Sequence, residues 1–200
     1  MSSNTLRIET LTVGQMAANC YLVSDGNEAI IIDPGDDGEY IVGKIQETGA
    51  RLTAIVATHG HSDHVTASFE LHLALGAPFY IHARDIFLLD RMRVPRSDPP
   101  PTVTKTLSDG DTITIGTYSL KVMHTPGHTP GGITLYEPKL GIAFVGDVLF
   151  AGGGVGRTDF SYSDPAQLTA SIQKLLALPK ETVLYPGHGE PTTVAEAQGV

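Results

Sequence analysis

The apolar positions along this chain change period several times, and each change marks a predicted element. Leu6–Val13 and Asn19–Ser24 are β-rich, Asp25-Gly26-Asn27 signals a turn, and Glu28–Ile32 runs into Asp33-Pro34-Gly35. Ala29-Ile30-Ile31-Ile32 is apolar on consecutive residues, which predicts a strand covered on both faces. Tyr40–Thr48 has the helical spacing Ile41, Val42, Ile45 and stops at Gly49. A short apolar strand follows at Ala54–Ala57, then a polar loop, Thr58–His64, and a helix over Val65–Leu75 closed by Gly76. Next come a strand at Pro78–Ile81, a helix over Ala83–Arg91 and a Pro-rich surface excursion at Val94–Pro101.

A second β-rich half begins at Thr112–Ile115 and continues through Tyr118–Met123, Gly132–Tyr136 and Ile142–Val145. Pro165–Leu178 reads as an amphipathic helix, and Thr182–Tyr185 as a last strand. Each half runs strands first and helix afterwards. That order predicts two sheets packed face to face with helices outside, a layered arrangement that buries one face of every element.

Composition narrows the class. With 41% hydrophobic and 18% charged residues in 200 positions, one globular domain spanning residues 1–200 can bury its own core. No apolar run approaches the roughly 18 residues of a membrane span, and Met1–Glu9 is too polar for a secretory leader. A single cysteine, Cys20, excludes an internal disulfide and fits a reducing compartment; a cytoplasmic, non-membrane protein is expected. The formal charge is −9 and the chain has no Lys/Arg cluster, so no nucleic-acid partner is expected.

The candidate chemistry lies in histidines. Of eight, five sit in polar, Gly-rich segments directly after predicted strands, and three fall between His59 and His64. Residues two apart in an extended segment point the same way, so His59 and His61 can converge on one ion, with Asp63 and His64 placed to serve a second. Imidazole and carboxylate ligands suit zinc, iron or manganese, and the lack of thiolates disfavours a closed structural zinc site. His128 lies in the tightly turned Thr125–Gly132 segment, Asp147 ends an apolar strand, and His188 sits between glycines after another. The expected allocation is His59, His61 and His128 on one ion and Asp63, His64 and His188 on the other. Asp147 would bridge the two, since its two oxygens can serve two cations.

The run Gly152–Gly156 lacks the Lys-Ser/Thr ending of a phosphate loop and reads as a flexible loop beside the ions. Arg157 and Asp159 are expected to pin each other; contact of Arg157 with an anionic substrate is the weaker alternative. Cys20 reads as core, His124 as a plain core or turn histidine or as support behind a ligand loop, and His72 and His82 are assigned no function.

The order His-x-His-x-Asp-His followed by His128, Asp147 and His188 resembles the metallo-β-lactamase superfamily over nearly the whole chain. The resemblance implies an α/β fold, a four-layer αββα sandwich, with two divalent metal ions at one edge, zinc first and iron or manganese as alternatives. Asn19–Val23, Thr125–Gly132 and Gly156–Phe160 are similar to the glyoxalase II and persulfide dioxygenase branch. β-Lactamases proper usually lack an aspartate corresponding to Asp147. Flavodiiron proteins usually carry a glutamate where this chain has His61. The chain extends twelve residues past His188, so the C-terminal helical region of classical glyoxalase II is not expected.

The implied function is hydrolysis of a small-molecule thioester such as S-D-lactoylglutathione by a metal-bound hydroxide, which Asp63 would orient or ligate. Alternatives are a mononuclear-iron persulfide dioxygenase using His59, His128 and Asp147, a lactone or ester hydrolase, and a non-catalytic metal-binding domain.

Overall fold

In the computed structural model, which describes residues 5–92 and 100–199, the strands sort into two six-stranded sheets. The first contains β1 (Arg7–Val13), β2 (Ala18–Ser24), β3 (Glu28–Ile32), β4 (Arg51–Val56), β5 (Phe79–His82) and β6 (Val103–Leu107), neighbours in that order. The second contains β7 (Thr112–Ile115), β8 (Tyr118–His124), β9 (Ile133–Glu137), β10 (Ile142–Gly146), β11 (Val183–Pro186) and β12 (Thr192–Thr193), again in chain order. Pairing is antiparallel except from β3 to β6 and between β10 and β11, where helices cross over. The helices are α1 (Gly38–Thr48), α2 (Ser62–Val65), α3 (Ser68–Leu75), α4 (Ile86–Arg91), α5 (Pro165–Leu176) and α6 (Val194–Gln198).

Three apolar layers hold these elements together. Ile31 of β3 faces outward with Ile41, Ile45 and Leu71 of α1 and α3. Its neighbours Ile30 and Ile32 face inward and meet Val122, Leu135 and Phe144 of the opposite sheet. β10 alternates likewise: Phe144 points between the sheets, while Ala143 and Val145 meet Leu168 and Leu175 of α5. This period-two sorting explains why both strands read as continuous apolar runs. Each fully buried isoleucine contributes about 1.5–3 kcal/mol, so the double-sided strands dominate the core. The result is the four-layer αββα sandwich expected from the order of elements. Among the described residues, no helix is long and apolar enough to cross a membrane.

The structure corrects several boundaries. The helix expected over Val65–Leu75 starts earlier and is interrupted: α2 begins at Ser62, and Thr66-Ala67 separate it from α3. The cause is Asp33-Pro34-Gly35. Pro34 takes the Ala67 N–H at 3.0 Å, and Gly35 lies so close to the Asp63 carbonyl that an added Cβ would fall 1.6 Å from its oxygen. The helical ladder therefore breaks where the β3 turn leans on it. Asp63 and His64 sit on this short helical turn rather than in the expected loop. The helix expected over Ala83–Arg91 opens as a 3₁₀ turn before α4, and β6, β12 and α6 were not anticipated. The Pro-rich excursion at Val94–Pro101 lies mostly outside the described residues.

Candidate metal centre

The seven candidate ligands lie together at one edge of the sandwich, with Asp63 and His64 on α2 and the others in loops after strands. His59 and His61 follow β4, His128 lies between β8 and β9, Asp147 follows β10 and His188 follows β11. One nitrogen from each of His59, His61 and His128 falls in a group of atoms all within 4.8 Å of one another. Asp63, His64 and His188 form a second such group. Asp147 stands between them. Its Oδ1 is 3.6 Å from His64 Nε2, and its Oδ2 is 3.5 Å from His128 Nε2 and 3.7 Å from His188 Nε2. Asp63 Oδ2 reaches His64 Nε2 at 3.6 Å and His188 Nε2 at 3.4 Å.

Three atoms of this cluster, His59 Nε2, His64 Nε2 and Asp147 Oδ1, are fully buried without a hydrogen-bond partner. An unpartnered buried polar atom is costly, about 1–3 kcal/mol each, so these three call for partners that the chain itself does not supply. The rear nitrogens explain the orientation of the front ones. His128 Nδ1 lies 2.7 Å from the Arg157 carbonyl, a contact only an N–H can make, which turns Nε2 with its lone pair inward. His64 Nδ1 faces Asp33 Oδ2 at 3.1 Å, which turns Nε2 towards Asp63 and Asp147. His61 Nδ1 points to His128 Nε2 at 2.9 Å, and its Nε2 meets the Tyr162 hydroxyl at 2.8 Å. Lone pairs converging at this spacing, with carboxylate oxygens between, fit divalent cations of the zinc, iron or manganese type.

The electrostatics differ between the two groups. Burial, then repulsion from the neighbouring imidazoles, pushes His59 far below its ordinary pKa. The same two causes push His61 down to about 3, so both are neutral imidazoles at pH 7, the form that ligates metal. Burial would also lower His64, but the Asp147, Asp33 and Asp63 carboxylates outweigh it and push it up to about 9. Burial would raise the Asp63 carboxyl, yet its hydrogen bond to His188 and the charge of His64 hold it well below the usual range. The carboxylate side of the cluster attracts cations.

Two buried carboxylates brace the loops, and neither was singled out from the sequence. Asp33 accepts from Thr58 N at 2.6 Å and from Thr58 Oγ1 at 2.7 Å, and it backs His64. Thr58 Oγ1 in turn lies 3.1 Å from His59 Nδ1. Asp85, at the start of α4, accepts from Gly60 N at 2.9 Å, Thr129 Oγ1 at 2.7 Å and Gly131 N at 2.5 Å. It thereby ties the His59–His61 loop to the His128 loop. Asp33 had a readable signal, since like Asp147 it ends an apolar strand; Asp85 had none. The glycine beside His188 is also required, because a Cβ on Gly187 would fall 2.1 Å from Asp147 Oδ1.

The remaining candidates fall outside the cluster. His124 stacks on His82 with ring centroids 4.5 Å apart and donates through Nε2 to the Pro130 carbonyl at 3.0 Å, bracing the His128 loop. His72 meets the Ala77 carbonyl at 2.8 Å. Cys20 is fully buried, and burial raises its thiol pKa well above the ordinary value. Arg157 Nε and Nη2 donate to the two carboxylate oxygens of Asp159 at 2.7 and 2.6 Å. The run Gly152–Gly156 is a compact turn rather than a loose loop: Phe150 N donates to the Gly154 carbonyl at 2.7 Å, and Leu149 bridges to Val155.

A four-layer sandwich carrying a paired His/Asp cluster where strands of both sheets end defines a class of metal-binding αββα proteins. Residues 13–188 match the metallo-β-lactamase superfamily, whose members are generally hydrolases that bind divalent metals, typically two; the chain belongs to it. Hydroxyacylglutathione hydrolase GloC of Haemophilus influenzae is 35% identical, over 96% of this chain and 94% of that protein. TTHA1623, solved in a di-iron-bound form, is 38% identical with a TM-score of 0.84, covering 95% of this chain and 96% of that one. BLEG-1, described as a B3 metallo-β-lactamase, is 33% identical with a TM-score of 0.86 and 97% coverage of both chains.

Proposed function

We propose that this chain is a metal-dependent thioester hydrolase of the glyoxalase II type. The observation that carries the proposal is the pair of three-residue groups with Asp147 between them, at the floor of a cavity of about 540 Å³. His59, His61 and His128 would hold one divalent ion, Asp63, His64 and His188 a second, and Asp147 would touch both. Divalent ions so held lower the pKa of water from 15.7 towards about 7 and polarise a carbonyl oxygen.

The chain's own residues supply the rest. His59 and His61, kept neutral by burial, offer lone pairs without having to lose a proton first. Asp63, kept ionised and lining the cavity, accepts a hydrogen bond from a water and orients it towards an acyl carbon. Tyr162, Asp33 and the Arg157 carbonyl fix the ring planes of His61, His64 and His128, so the geometry is preorganised before substrate arrives. A thiolate departs without a proton, so this chemistry needs no general acid. Likeness to GloC of Haemophilus influenzae supports the choice of thioester among possible acyl substrates.

The test is thiol release from a panel of acyl thioesters, including S-D-lactoylglutathione, by protein of measured metal content with a chelated control. Chelator-sensitive release is expected. No release of any thiol by metal-replete protein overturns the proposal. Parallel oxygen uptake with a persulfide, and hydrolysis of a lactone and a β-lactam, would then identify the reaction that replaces it.

A further inference from the structure

Two jaws frame the cavity mouth above the metal cluster. One is the turn joining β1 to β2, which carries Met16, 68% exposed. That turn is anchored by the residues that follow it. Asn19 N donates to the Gly187 carbonyl at 2.8 Å, and Asn19 Nδ2 donates to the Pro186 and Gly189 carbonyls at 3.1 and 2.7 Å. The other jaw is segment 149–160, whose Leu149–Val155 bridge and Gly-rich turn present Phe150, Val155 and Phe160 to the cavity. Val155 is 46% exposed; it and Met16 are two of only five large apolar side chains that stand exposed among the described residues. Apolar groups left in water around a concave polar floor mark a surface that covers an apolar ligand.

Charge at the mouth points the same way. Among the described residues lining the cavity, Arg157 is the only lysine or arginine. Asp159 engages the Nε/Nη2 edge of its fork, and its guanidinium carbon lies 4.7 Å from the centre of the Phe160 ring. A bidentate pair leaves the arginine charge balanced, so a second carboxylate gains little net attraction from it. An anionic arm on the substrate would therefore meet a cation already neutralised by Asp159, on a protein of net charge −9.

We propose that the mouth selects thioesters whose thiol arm is apolar and uncharged, in preference to thioesters of glutathione, whose peptide arm carries two carboxylates. The nature of the reacting group rests on the thioesterase reading above; recognition of the arm does not.

The experiment measures binding of two inert thioethers to the metal-loaded protein by calorimetry: neutral S-benzyl-N-acetylcysteamine and anionic S-benzylglutathione. The two share the benzylthio group and differ in the charged peptide. The neutral ligand is expected to bind about tenfold more tightly or better. Met16→Ser with Val155→Ser should weaken the neutral ligand by about threefold to tenfold and leave the anionic one unchanged. Asp159→Asn leaves the Arg157 charge unbalanced and should strengthen S-benzylglutathione by about threefold. Equal or tighter binding of S-benzylglutathione by the unaltered protein, no response to the jaw substitutions, or no binding of either ligand at millimolar concentration overturns the proposal. Neither ligand can be hydrolysed, so the two ideas fail separately. A neutral preference without thioester turnover sinks the thioesterase reading alone, and thioester turnover with the glutathione ligand preferred sinks the apolar mouth alone.

Discussion

The first sheet delivers His59, His61, Asp63 and His64 from one short stretch after β4, whereas the second sheet delivers His128, Asp147 and His188 from three separate strand ends. The contiguous set depends on local conformation: an extended pair, then a helical turn held in place by the Asp33-Pro34-Gly35 turn and by the Asp33 carboxylate. The dispersed set depends on how closely three backbones approach, with Gly187 pressed against Asp147 and Gly156 against the His128 ring. Asp85 is the brace that spans the two sheets. A local cluster is thus protected by hydrogen bonds behind it, and a dispersed one by sterics beside it.

Asp147→Ala strikes the point where the two sets meet and should have the largest effect. Metal content should fall, and thiol release should drop by about 10³-fold or more, beyond the 10–100-fold usual for residues behind the ligands. Metal analysis with the thioester assay checks this, and retention of both would dissociate the two sets. Next comes Gly187→Ala, which tests the steric half alone. The added methyl should displace Asp147, destabilise the fold by about 1–3 kcal/mol and weaken metal binding, read by denaturant unfolding and by metal titration.

Asp85→Ala tests the brace. Gly60 N, Gly131 N and Thr129 Oγ1 would lose their acceptor, at about 1–3 kcal/mol for each donor that water cannot reach. Metal affinity should fall by about 10–100-fold with the ligands themselves untouched. Unchanged affinity, measured by competition with a chelator, would mean that each sheet holds its ligands unaided.

The smallest expected effect is on pH. Burial, followed by the charges of His124 and Arg84, lowers His82 from its ordinary 6.5 to about 4. The folded state therefore prefers neutral His82, whose Nδ1 accepts from Arg84 N. Between pH 6.5 and about 4 the unfolded chain binds this proton and the folded one does not, so the stabilisation is complete above 6.5 and fades as pH falls through 4. The fall in melting temperature over this range should be shallower in His82→Phe than in the unaltered protein. Identical slopes in the two would remove His82 from the account of the His128 loop.

Much of the architecture was legible along the chain because its signals are local. The consecutive isoleucines of β3 predicted two-sided burial, Gly49 and Gly76 closed helices where expected, and strands ending in His or Asp pointed to one polar edge. Where the reading failed, the deciding partner was distant in sequence. α2 parts from α3 because Pro34 takes an N–H that a continuous helix would keep. β6 has a weak alternating pattern, buried mainly at Leu107, and is a strand because β5 lies beside it.

The sequence by itself determined the layer order and the types of group at the edge, since hydrophobic period and side-chain chemistry belong to each segment alone. Only the tertiary structure decided which of those groups meet, that Asp33 and Asp85 stand behind them, and that Arg157 is already engaged where the cavity opens. The physical reason is range. Period and turn chemistry act over a few residues, while a buried carboxylate is satisfied only by donors that folding brings from elsewhere in the chain.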